Sequence, residues 1–124
     1  MLSADEISAA KKRTKHHGEA RHESDDCIRI AYEWLDAQKK TKGIGRATRP
    51  LKHIIEKWGG RYVSQADVEV AAELHPEIRG EYPHFNISSR LIRSSDNRLA
   101  NIKEARTQNY SISENSRTYA EVEG

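Results

Sequence analysis

The stretch NISSRLIR, Asn86 to Arg93, carries side chains whose donors and acceptors match those of base edges. Arginine presents a fork that fits guanine O6 and N7, asparagine pairs with adenine N6 and N7, and serine bonds to bases or phosphates. On a helix starting at Asn86, 100° per residue gathers Asn86, Ser89, Arg90 and Arg93 within about 100° of arc, while Ile87 and Leu91 turn inward. These four residues are therefore the expected base contacts. A second set could hold phosphates and fix register: Lys42, Arg46, Arg49, Lys52 and Lys57. They belong to a run from Lys39 to Arg61 in which Lys39, Lys40, Lys42, Arg46, Arg49, Lys52, Lys57 and Arg61 face only Glu56. From Tyr62 to Phe85 the balance reverses, with Asp67, Glu69, Glu73, Glu77 and Glu81 against Arg79, and from Asn86 to Arg106 it turns basic again. Two basic segments flanking an acidic one favour a polyanionic partner, although the whole chain carries a formal charge of only +2.

Other chemistry finds less support. His16, His17 and His22 lie among lysines and arginines, but His17 and His22 would be about 140° apart on a helix, and neither HExxH nor an i, i+4 histidine pair occurs. A solvated or phosphate-touching arm is the expectation, with no metal. Cys27, the single cysteine, follows Asp25 and Asp26 on an apolar stripe, which marks a buried structural thiol rather than a nucleophile. Asp67 and Glu69 lack the lysine that would complete a nuclease-like pattern and read as surface acids of a capped helix. Gly43-Ile44-Gly45 is followed by neither a phosphate-loop lysine nor a third dinucleotide-binding glycine. The expectation is a protein that is not an enzyme and needs no cofactor.

The elements that must position these residues can be read from periodicity. Ser3 and Glu6 form a capping-box pattern, so a helix begins near Ala4 and can run to His16 or His17. A stronger helical segment spans Glu19 to Lys40, with Cys27, Ile28, Ile30, Ala31, Trp34 and Leu35 on one face. Pro50 precedes Leu51, Ile54, Ile55 and Trp58 at i, i+3, i+4, i+7, and Gly59-Gly60 supplies the stop. Ser64 caps the next helix, with Asp67 at the third position and Val68, Ala71 and Ala72 along one stripe. Pro76, Gly80 and Pro83 interrupt before Asn86, which reads as the cap of the reading helix, and Ser95 and Asp96 recap a weak helix carrying Leu99 and Ile102. The tail from Thr107 is polar and aperiodic. With 35% hydrophobic and 32% charged residues, the chain suits one modest core under a charged surface. The expected organisation is a basic N-terminal arm or helix over 1–18, a helical domain over 19–106 and a flexible tail over 107–124.

Over 48–94 this pattern resembles a helix-turn-helix DNA-binding domain, at superfamily level only. The resemblance implies an all-α fold with a three-helix core, the helix at Asn86 in the major groove of double-stranded DNA, and a role as transcriptional regulator or mobile-element accessory factor. It also suggests a homodimer, since two half-sites multiply the specificity of one short reading helix. The connection from His75 to Phe85 departs from the usual turn of about 3–4 residues and would make this an extended-turn variant. The basic, glycine-containing linker suits RNA as well. A different class of function is a protein-interaction module, adaptor or inhibitor, that docks through the acidic loop 69–85, with Tyr82 and Phe85 exposed, or through the tail. No membrane-length apolar run and no secretory-type apolar core occur, so the cytoplasm is the expected location.

Overall fold

The computed structural model describes residues 1–18, 20–46, 48–108 and 116–124. The fold is mostly helical, with a few short strands rather than a purely α architecture. Helices α1 (Ala4–Arg13), α2 (Asp25–Ala37), α3 (Leu51–Gly59) and α4 (Gln65–Leu74) come first. They are followed by a hairpin, β1 (Gly80–Glu81) with β2 (His84–Phe85), whose turn contains a cis peptide bond between Tyr82 and Pro83. Strand β3 (Ile92–Arg93) pairs in parallel with β4 (Glu121–Val122), and 3-10 turns occupy Asp96–Leu99 and Ser116–Thr118.

Helix α4 is the hub. Every residue from Ala66 to Ala72 is buried, because alanines and valines let α2 pack along one side and α1 along another. Its start is the expected capping box: Ser64 Oγ accepts from Asp67 N, and Ser64 N donates back to the Asp67 carboxylate. Helix α2 contributes the apolar face read from its sequence, with Cys27, Ile28, Ile30, Ala31, Trp34 and Leu35 all inaccessible to solvent. Helix α3 adds Leu51, Ile54, Ile55 and Trp58. Where α3 meets α2 only glycine fits, since a Cβ on Gly59 would lie 2.6 Å from Ile30 Cγ2. Gly60 then ends α3 at φ +68°, the left-handed conformation glycine adopts without penalty.

Two segments expected to be loose are pinned. After α1, Thr14 Oγ1 bonds back to Ala10 O, and the chain leaves the helix at Arg13 instead of continuing to His16 or His17. His16, His17, His22 and Glu23 bond to the carboxylates of α4, and α2 starts at Asp25. At the other end, residues 116–123 return to the body. Trp34 Nε1 donates to Tyr119 Oη (3.2 Å), Ala120 N to Leu91 O (2.9 Å), and Glu123 accepts from Arg98 (2.6 and 2.7 Å). This segment is therefore not a free tail; positions 109–115 of the expected tail lie outside the described residues.

The largest departure concerns Asn86 to Arg93, which forms no helix. Asparagine and serine compete for backbone groups with their own side chains, which makes them poor helix interiors and good loop staples. Asn86 does the latter: Oδ1 accepts from Arg79 N (2.6 Å) and Nδ2 donates to Glu77 O (2.9 Å). The backbone beside it is satisfied by distant partners. Thr41 N donates to Asn86 O, Ser88 N to Lys39 O, and Lys40 bridges to Ile87. Further on, the Gln38 side chain clamps Ile92, the first residue of β3, through both backbone groups. With these groups spent on the α2–α3 linker, nothing remains for an i to i−4 ladder. Ile87 and Leu91 do point inward as expected, from extended backbone.

Candidate nucleic-acid interface

The side chains proposed from sequence to read bases are dispersed. Asn86 is 2% exposed and its amide is consumed by the loop it staples. Arg93 sits on β3 and pairs with Asp96 (3.1 Å). Ser89 and Arg90 remain exposed, on the turn between Ser88 and Leu91. The other consecutive helix pair, α3 and α4, offers no replacement reading helix, because α4 is enclosed along its length. The three-helix core with a helix at Asn86 is thus replaced by four helices, a hairpin and a docked strand.

Of the cations expected to hold phosphates, Arg46, Arg49 and Lys57 line two cavities that share Arg49. Thr41 N and Gly45 N donate to Asn86 O and Phe85 O, so the loop from Thr41 to Arg46 is fastened against the strand leaving the hairpin. Gly45 is used there for close approach, since a Cβ would contact the Phe85 and Ile87 carbonyls at 3.4 and 3.5 Å. Lys42 and Arg46 project from this loop into solvent, and Lys57 lies half-buried on α3. Arg49 is held by carbonyls, donating to Ser89 O (3.5 Å) and Thr118 O (3.3 Å). Arg79 likewise donates to Lys42 O (2.7 Å). A carbonyl fixes a guanidinium in place without cancelling its charge.

The arginines divide sharply by partner. Arg13, Arg21, Arg29, Arg61, Arg93, Arg98 and Arg106 each make an ion pair with a carboxylate. Arg46, Arg49, Arg79 and Arg90 make none among the described residues, and neither do Lys39, Lys42 and Lys57. Lys52, expected with the phosphate contacts, is spent internally: its Nζ lies 3.1 Å from Glu56 Oε2 and 4.5 Å from the centre of the Tyr62 ring. Glu56 itself is buried and also meets His53 Nδ1 (3.0 Å) and Val63 N (3.2 Å).

Of the two cavities that share Arg49, one, about 530 Å³, lies between the linker and residues 83–91, walled by Arg46, Ile44, Leu51, Phe85 and Leu91. The other, about 260 Å³, lies between α3 and the docked C-terminal segment, beside His53 and Lys57.

A second charged cluster was not anticipated. Asp67 and Glu69, expected as surface acids, are 0% and 6% exposed. His22 Nδ1 lies 3.0 Å from Asp67 Oδ1 and His16 Nδ1 lies 2.9 Å from Glu69 Oε1, and the two rings meet edge to face at 5.3 Å. Backbone groups of the arm complete the contact: Glu23 N and His17 N donate to the same carboxylates, and Ser64 Oγ donates to Arg21 O. The signal available in sequence was the alternation of Asp67 and Glu69 with valines on a helix apolar on two sides. That pattern demands partners for any acid it buries.

Most of the acidic block is similarly spent within the molecule, Glu77 excepted. Glu73 pairs with Arg13 and Glu81 with His17, Phe85 is buried, and the Tyr82 hydroxyl accepts from Lys52 N at 3.0 Å. Burial pushes the Tyr82 hydroxyl pKa upward, against the opposing bond from Lys52 N. Cys27 is also buried, and its thiol is pushed up by loss of solvent. Among the described residues no three His, Cys, Asp or Glu side chains are placed to hold a metal ion, and no helix is long and apolar enough to cross a membrane. Comparison of the chain with protein-family models, curated proteins and solved structures finds no match.

Proposed function

We propose that this protein binds DNA, gripping the phosphate backbone with the face formed by the α2–α3 linker, α3 and the turn at Ser89 and Arg90. The observation that carries this reading is the division of the arginines. Arg13, Arg21, Arg29, Arg61, Arg93, Arg98 and Arg106 are neutralised by carboxylates, whereas among the described residues Arg46, Arg49, Arg79 and Arg90 are not, and Lys39, Lys42 and Lys57 lie in the same stretches of chain. Guanidinium groups without internal counter-charge suit phosphate oxygens, which they can engage two at a time. Contact here is to the backbone, with Arg46, Arg49, Arg90, Lys42 and Lys57 as the gripping cations, and no helix enters a groove. The protein-interaction alternative draws less support, because three of the four acids of its loop, Glu69, Glu73 and Glu81, are paired within the chain.

The test is titration of labelled DNA at several salt concentrations, using the unmodified protein and a variant carrying Arg46→Ala and Arg90→Ala. Binding through the backbone gives a log–log fall of affinity with salt, and the variant has the shallower slope. No binding at low salt, or an unchanged slope in the variant, would remove this reading.

A further inference from the structure

The larger cavity has a composition that phosphate binding alone does not explain. Leu51, Phe85, Ile87 and Leu91 give it an apolar lining, yet Arg46 and Arg49 line it too. Ile44 stands at its mouth. It is 44% exposed, and the other large apolar side chains this exposed, Met1 and Val122, lie near the chain ends. A fastened, basic loop thus leaves part of an apolar side chain open beside the cavity. Among the described residues no carboxylate lines the cavity, while Thr41, Ser88 and Ser89 do. At about 530 Å³ it falls within the range of about 300–1,000 Å³ typical of small-molecule sites.

This combination fits a nucleotide: a flat, largely apolar ring bearing hydrogen-bonding edges, joined to an anion. A paired base is not available to it, because its faces are covered by stacking and its pairing edge by its complement. We infer that the cavity receives one unstacked base of a DNA strand whose flanking phosphates lie on Arg46 and Arg49, so that the protein prefers single-stranded to fully paired DNA. This rests on the DNA-binding reading above and adds the form of the strand. Hydroxyls and backbone groups at the rim can bond to base edges, and guanidinium planes can stack on the ring.

Anisotropy titration of the full chain with three labelled oligonucleotides separates the base from the charge: a single strand, its fully paired duplex, and a strand with abasic residues in place of the bases. The ordinary strand should bind roughly tenfold more tightly than the abasic strand of equal charge, the scale expected for one stacked base. Two substitutions at exposed positions test the cavity without opening the core: Ser89→Leu to fill it and Ile44→Ser to strip its mouth. Each should bring the ordinary strand towards the abasic value. If ordinary and abasic strands bind alike, the base site is overturned and backbone binding stands. If both variants retain the full preference for bases, the base is bound elsewhere and the assignment of this cavity fails. If no oligonucleotide binds at low salt, the DNA reading fails and this inference with it.

Discussion

Two charged regions of this molecule use their charges in opposite ways. Against α4, the histidines of the arm meet buried carboxylates at 2.9 and 3.0 Å, and each carboxylate also accepts a backbone N–H of the arm. On the linker face, arginines are held by carbonyls or by nothing in the described chain. The first arrangement fastens one segment to another. The second keeps charge available to an outside partner. Density of charge along the sequence therefore says little about function until it is known which charges are already matched inside.

The contrast breaks first at Asp67. Replacing it with alanine removes the acceptor for His22, Glu23 N and Ser64 N at a position with no solvent to substitute. Losing one partner of a buried pair costs about 3–5 kcal/mol, so Asp67→Ala should lower unfolding free energy by about 3 kcal/mol in urea titrations. Its folded fraction should bind DNA as before. A change below about 0.5 kcal/mol, the scale of ordinary surface substitutions, would mean that the arm is not held by this carboxylate.

Much of the helical frame was legible in sequence because it follows from local rules. The capping boxes at Ser3 and Ser64, the i, i+3, i+4, i+7 stripe of α3 and its glycine stop all appear where the pattern places them. The segment from Asn86 was misread for a definite reason. A cap preference and a helical arc are local properties, whereas the fate of its backbone was decided by Lys39, Thr41 and Gln38, some fifty residues away. The histidine–carboxylate pairs escaped for the same reason, since His16 and Glu69 are separated by 53 positions. At the candidate interface the cationic linker was read correctly as a run of charge. That Lys52 is used internally while Arg46 is not depends on tertiary contacts that spacing does not encode.

On the linker face the expected pattern is the reverse of Asp67. Arg46→Ala together with Arg90→Ala should alter stability by no more than about 0.5 kcal/mol, because neither side chain has a carboxylate partner. The same variant should lose roughly tenfold in DNA affinity at low salt, and its salt slope should fall by about 2, one for each phosphate contact removed. A variant that unfolds easily but binds normally would place these arginines in the first region rather than the second.

Helix α3 carries both behaviours within five residues. Lys52→Ala leaves Glu56 buried with one cation fewer and should cost about 1 kcal/mol of stability, with the salt slope unchanged. Lys57→Ala should do the opposite: stability unchanged and a slope shallower by about 1. Parallel urea and salt titrations of the two variants check this, and identical behaviour would erase the distinction drawn between the regions.

The smallest expected effect lies in the segment 116–123. Its Thr118 carbonyl touches Arg49 on the linker face, while Glu123 is bound by the Arg98 Nε and Nη2 groups and by Ser95 N. The hydrogen bonds from Arg98 hold the Glu123 carboxyl below its ordinary value of 4.5, against burial, with the Ser95 amide adding to the effect. A carboxylate whose pKa is depressed on folding stabilises the fold fully above its unfolded value, and that contribution is lost as pH falls through the folded pKa. Glu123→Gln should therefore cost up to about 1 kcal/mol at neutral pH, the scale of a partly exposed ion pair. The difference from the unmodified protein should shrink once pH drops below 4.5 and vanish below the depressed pKa. Urea unfolding of both proteins between neutral and acid pH measures it. A difference independent of pH would show that Glu123 supports the segment through packing rather than through its charge, and the docked strand would then belong to neither charged region.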